Sequence, residues 1–226
     1  MKSLEKYQEL IVFDCETTGL DPFKNDVIEL ACCKFKNENN NYILIDKIDV
    51  LIKIDYPLPS NIINLTGITD DILLNQGISE LDATKEFYNR FISSPDNKRL
   101  YSAYNAPFDI NFISQMLKRN GYSFASNSDY LDVMTVFKDR ASYPHRLVNA
   151  IEHYHLSEKF SNSHRAIDDC LACFEVLLSM GKEYDDIVHY VNLFGYNPKY
   201  PVINRISGVR YCPQYYGSTT KLFMRQ

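Results

Sequence analysis

Apolar positions run together in the first part of the chain and recur at helical spacing in the rest. Residues 8–14 carry the run ELIVF and predict a strand, and VIELACCKF (27–35) and YILIDKIDVLI (42–52) predict two more. The Asn-rich NENNN (37–41) between the second and third reads as a hairpin loop. An antiparallel meander results, and Pro57 and Pro59 break it. Residues 62–74 read as short helical turns, the second capped by Thr69. ISELDATKEFYNRFI (78–92) is an amphipathic helix with Leu81, Phe87 and Phe91 on one face. RLYSAY (99–104) predicts a short strand, and APFDINFISQMLKRNG (106–121) a helix ended by Gly121. Helices are expected over 130–140, 145–155 and 164–182.

Strands first, then helices mixed with strands, predict an α/β fold: a mixed central sheet flanked by helices. The expected division is a body over 1–182 and a small Pro/Gly/Tyr-rich extension over 183–226.

Composition changes this picture little. Hydrophobic residues make up 45% and charged residues 23% of the 226, which is ordinary for a globular protein. No window is apolar enough to span a bilayer, and MKSLEKYQEL lacks a signal peptide's apolar core. The expectation is a cytoplasmic protein with no membrane partner. The six cysteines fit that compartment as free thiols. Cys170 and Cys173 form a CxxC in helical sequence with no second pair, so core packing is the better reading than zinc.

Charge is unevenly placed. Residues 187–226 hold five basic residues and no acid, leaving 19 basic and 29 acidic residues on the rest of the chain. The same segment holds six tyrosines. Such a tail fits phosphates and bases; equally, it fits packing on an acidic body through its tyrosines.

The candidate chemistry lies in the acids. Asp14 and Glu16 are two apart on a strand and so share a face, where bare repulsion would raise a pKa. Hard divalent cations remove that conflict. Asp109 sits near a helix start between Phe108 and Ile110. Of the next pair, Asp168 falls beside Glu175 and Ser179 on a polar side, and Asp169 beside Ala172, Cys173 and Val176. Asp169 is therefore the better ligand. His164 stands just ahead, the one histidine adjoining a candidate ligand. Asp132 reads as a helix cap and Glu29 as a supporting acid, while Arg165 has some scope to touch phosphate.

Together these residues resemble the DEDDh 3′–5′ exonucleases, the family of the epsilon proofreading subunit. The first motif stands as FDCETTGL (13–20), the second as NAPFD (105–109), and the third as HRAIDD (164–169). IEL (28–30), LTGITDDIL (65–73) and LDVMTVF (131–137) are similar to the exonuclease domain inside the Gram-positive-type replicative polymerase. The resemblance covers about residues 8–182. Tyr104 and Cys15 depart from the usual pattern without removing a ligand or a base.

The resemblance implies an RNase H-like fold and two-metal hydrolysis of a terminal phosphodiester to nucleoside 5′-monophosphates. Asp14, Glu16, Asp109 and Asp169 would hold two divalent cations, Mg²⁺ or Mn²⁺, and His164 would take the proton from the attacking water. Thr17, Thr18, Leu20, Asn105 and Phe108 would meet the terminal nucleotides. For the threonines, turn chemistry before Gly19 coexists with that role. The expected partner is a single-stranded or frayed 3′ end of DNA, with a DNA polymerase subunit if the activity is proofreading. RNA ends, or a non-enzymatic binding or assembly subunit, are the competing readings.

Overall fold

Five strands form one sheet: β1 (Glu9–Thr17), β2 (Val27–Glu38), β3 (Asn41–Leu51), β4 (Arg99–Ala103) and β5 (Asp129–Asp132). The structure is a computed structural model that describes residues 1–93, 98–160, 165–217 and 220–225. The strand order is β3-β2-β1-β4-β5, antiparallel in the meander and parallel from β1 to β4 to β5. The meander turns at Asn39 and Asn40, both at positive φ, as a two-residue hairpin requires.

β1 is central, and its apolar run is buried on both faces, which is why it does not alternate with polar residues. Leu10 and Val12 pack with α7 (Ala166–Glu183), where Phe35 stacks on Phe174 at a centroid distance of 3.6 Å. Ile11, Phe13 and Cys15 pack on the opposite side with α4 (Ala106–Arg119) and α3 (Glu80–Phe87). Helices thus cover both faces of a mixed sheet. Around the meander, α1 (Ser60–Thr66) and α2 (Asp70–Gln76) follow Pro59, and the Thr69 side chain accepts from Ile72 N–H as expected of the cap. No described helix is long and apolar enough to cross a membrane.

Three element boundaries differ from expectation. The segment 130–140 is not one helix: β5 ends at Asp132, and α5 (Val133–Lys138) begins there. Tyr130 and Leu131 instead pair with Tyr101 and Ser102 of β4. Two apolar residues carry no period, so only the sheet edge decides their state. The helix at 78–92 relaxes into a π turn over Tyr88–Ile92, with Ser93 N–H donating to Tyr88 O at 2.8 Å. The helix at 145–155 shortens to α6 (Leu147–His153).

The C-terminal segment lies on the body. β6 (Leu193–Tyr196) and β7 (Arg210–Pro213) form a parallel pair. Asn192 joins β6 to β5 by donating N–H to Tyr130 O and accepting Tyr130 N–H, both at 2.8 Å. Ile187, Tyr190, Leu193, Phe194 and Leu222 are buried, and Gln214 reaches Thr135 O and Asp139. Tyr190 is a packing tyrosine, whereas Tyr200, Tyr215 and Tyr216 stay exposed.

Candidate active site

β1 outruns its parallel neighbour. It pairs with β4 only from Glu9 to Val12, so the edge beyond Val12 is open. There the Cys15 N–H donates to Asp109 Oδ1 at 3.1 Å, and the Cys15 thiol lies 3.3 Å from the same oxygen. Asp109 is placed by the start of α4. Asn105 takes the left-handed conformation at the N-cap, Pro107 follows in the first turn, and Ala106 N–H donates to Asp132 Oδ1 at 3.0 Å. Asp132 Oδ2 accepts Thr135 N–H at 3.1 Å, so one buried acid ties the starts of both α4 and α5.

Strand alternation puts Asp14 and Glu16 on the α7 side of β1, and Asp169 lies in the first turn of α7. One carboxylate oxygen from each of Asp14, Glu16 and Asp169 lies within 4.8 Å of the others. The helical-wheel choice of Asp169 over Asp168 agrees with this placement. Three of the four acids singled out in the sequence therefore converge. The fourth, Asp109, is buried against the Cys15 backbone, close enough for its charge to act on Asp14. His164 lies outside the described residues.

The cluster is electrostatically costly by itself. Burial first, then the charges of Asp109, Asp169 and Glu16, raises Asp14 well above the usual carboxylate range. Glu16 is pushed up to about 8 by burial and by Glu29, Asp169 and Asp109. Asp109 is pushed up to about 7 by burial, against the lowering effect of its Cys15 hydrogen bonds. Three converging carboxylates form a hard oxygen donor set, which fits a divalent metal.

Glu29 is the support behind this cluster. It stands opposite Glu16 in the β1–β2 register and is completely buried. Arg165 holds it through Nε at 2.8 Å and Nη2 at 2.7 Å, and Ala166 N–H approaches its Oε2 at 3.4 Å. The first residue of the helix bearing Asp169 is thereby tied to the strand opposite Glu16. Arg165, weighed in the sequence as a phosphate contact, is held by this ion pair.

The expected nucleotide contacts divide in two. Thr17 and Thr18 serve the turn: the Thr17 hydroxyl donates to Gly19 O at 2.6 Å, and Thr18 Oγ1 accepts Asp26 N–H at 3.0 Å and meets Tyr56 Oη at 3.1 Å. Leu20 is 86% exposed and lines a cavity together with Asn105 and Phe108. Tyr56 and Lys138 gave no sequence signal, since only the fold brings them to this end of the sheet.

A family model described as Exonuclease matches residues 11–177, which spans all three motifs. The chain belongs to this exonuclease family. The DNA polymerase III PolC-type of Halalkalibacterium halodurans is 34% identical over 179 residues, covering 77% of this chain and 11% of that protein. The Listeria innocua protein of the same description is 34% identical over 192 residues, covering 82% of this chain and 12% of its own length. The exonuclease chain thus spans about a tenth of the length of the curated relatives it matches. Among solved structures, a zinc-bound E. coli ExoI–ssDNA complex superposes with a TM-score of 0.68 at 19% identity, over 81% of this chain and 42% of that one. E. coli Exonuclease I with a dA16 oligonucleotide gives 0.67 at 20% identity, over 81% and 42%. The fold is the RNase H-like exonuclease fold expected from the sequence.

Proposed function

We propose that this chain is a metal-dependent 3′–5′ exonuclease that hydrolyses the terminal phosphodiester of DNA to nucleoside 5′-monophosphates. The convergence of Asp14, Glu16 and Asp169 within 4.8 Å carries the reading. These three acids, with Asp109 beside them, would hold two divalent cations, Mg²⁺ or Mn²⁺. When bound, such cations polarise the phosphodiester and lower the pKa of water.

The chain's own residues do the positioning. Asp109 fixes the end of β1 by accepting the Cys15 N–H, and so sets where Asp14 and Glu16 project. The Glu29–Arg165 pair fixes the start of α7 and with it Asp169. His164 is the proposed general base: five residues ahead of Asp169 in the chain, it has an intrinsic pKa near 6.5 that suits proton uptake at neutral pH. Leu20, Asn105 and Phe108 receive the terminal nucleotide, while Thr17 and Thr18 shape the turn that presents Leu20.

Supporting DNA as substrate and a polymerase as working partner, the relatives are described as DNA polymerase III. The test is incubation of the protein with 3′-labelled single-stranded DNA and RNA, with Mn²⁺ or with EDTA. Mononucleotide release from DNA that requires Mn²⁺ is expected. Binding without release would sink the enzymatic reading, and faster release from RNA would replace the substrate.

A further inference from the structure

The C-terminal segment forms one wall of the cavity that Leu20, Asn105 and Phe108 line. This cavity, of about 340 Å³, has Tyr196, Tyr200 and Ile203 among its lining residues, and Lys138 from the end of α5. A second cavity of about 640 Å³ is lined in part by Lys118, Tyr122, Phe124 and Arg205. Asn111, Ile203 and Asn204 line both, so the two run together as one groove between α4 and the C-terminal segment.

Basic side chains stand along this groove, and Asp132 is the one acid among the lining residues of the two cavities. The half-buried Lys138 side chain makes no hydrogen bond or ion pair among the described residues. Burial lowers its pKa, and the negative charge of Asp132 opposes that. An ammonium that has lost water without gaining a partner is stabilised by an anion. Arg205 is exposed, with its guanidinium 5.4 Å from the centre of the Tyr211 ring, and Tyr211 Oη accepts Ile206 N–H at 3.2 Å. The ring is thus braced by the same loop that carries the guanidinium. The whole segment 187–226 has no acid to compete for these cations.

We propose that this groove carries the upstream nucleotides of a single nucleic-acid strand, with Lys138 taking one backbone phosphate and Arg205 another farther along. Tyr196 and Tyr200 offer rings on which unpaired bases stack, which a duplex cannot use. The proposal rests on the nuclease reading, which sets the 3′ end of the strand at the acid cluster. It gives the basic, Tyr-rich segment a double character: packing through Tyr190 and Phe194, and binding through the face turned to α4.

The experiment is fluorescence anisotropy of the full chain with a labelled twelve-nucleotide oligothymidylate or oligouridylate, in EDTA, across a salt series. Lys138→Ala and Arg205→Ala are each expected to weaken binding about tenfold. Each should also reduce the log–log salt slope by about 0.7, the value for one phosphate contact on a single strand, while Lys138→Arg keeps both. The two oligomers decide which polymer the groove prefers. Wild-type affinity and slope in both alanine variants would overturn the proposal, as would equal competition by a blunt duplex or by polyglutamate. Because Arg205 is exposed, its variant remains a valid test if Lys138→Ala does not fold. Mononucleotide release is scored separately. If release is absent but the variants lose affinity, the chemistry falls and the groove stands. If release persists with affinity unchanged, the groove alone falls.

Discussion

Glu16 and Glu29 face each other across the β1–β2 pair, yet their carboxylates are held in opposite ways. Arg165 neutralises Glu29, whereas Glu16 joins Asp14 and Asp169 in a cluster of converging carboxylate oxygens. Like charges directly opposite in a sheet are destabilising. The sheet tolerates this pair because Arg165 takes up the charge of Glu29, while burial and the neighbouring acids push Glu16 up to about 8 and so favour its neutral form.

The first prediction concerns Glu29. Glu29→Gln removes the buried half of an ion pair whose other half, Arg165, is 47% exposed and can return to water. A modest destabilisation of about 1–3 kcal/mol is expected in urea unfolding. The rate of nucleotide release should fall through kcat rather than KM, since Asp169 loses its anchor while the groove is unchanged. An equal change in KM alone would place Glu29 in substrate binding instead.

The second concerns pH. Glu16 at about 8 and Asp109 at about 7 both lie above their ordinary values of 4.5 and 3.8. A group whose folded pKa is raised contributes stability that is full below the unfolded pKa and lost as pH rises through the folded one. The metal-free protein should therefore lose thermal stability as pH rises from about 4 to about 8, and the stabilisation by Mn²⁺ should grow over the same range as protons are displaced. Melting curves with EDTA and with Mn²⁺ check this; a metal-free Tm that rises with pH across that window contradicts it.

The third separates the two adjacent acids of α7. Asp169→Asn should cut nucleotide release more than about 100-fold, beyond the loss usual for a group that only supports a ligand. Asp168→Asn, outside the cluster, should change it by less than about threefold. Equal losses in the two would mean the start of α7 is needed for its charge rather than for a ligand.

The fourth concerns the C-terminal segment. Removing residues 187–226 takes five buried apolar or aromatic side chains, Ile187, Tyr190, Leu193, Phe194 and Leu222, off the body. At about 1.5–3 kcal/mol each, the loss is on the order of the whole stability of a domain. The shortened chain is expected to show no cooperative melting transition; a wild-type Tm would show that the segment is only an appendage.

Much of this site was legible in the sequence, for identifiable reasons. Asp14 and Glu16 follow an apolar run, so strand alternation alone puts them on one face. The 100° periodicity of α7 separates Asp169 from Asp168. Thr69 and Asp132 announce themselves as caps by chemistry. What was not legible is what depends on pairing between distant segments. Tyr130 and Leu131 have no period of their own, and only β4 makes them a strand. Glu29 and Arg165 are 136 residues apart, and nothing local to either names the other. Lys138 looks like the solvated last residue of a helix until the C-terminal segment folds over beside it. The extension's tyrosines gave two readings of equal standing because Tyr190 and Tyr200 look alike in sequence, while one is buried and the other 69% exposed.

The most direct test of the acid cluster is the rate at which Asp14→Ala releases mononucleotides from 3′-labelled single-stranded DNA in Mn²⁺, measured beside its metal-free Tm. Burial, and then the charges of Asp109, Asp169, Glu16 and Glu29, disfavour the ionised Asp14, so the account predicts a rate at least about 1,000-fold below wild type together with a Tm equal to or above it. Release at the wild-type rate by a folded Asp14→Ala protein would contradict the account.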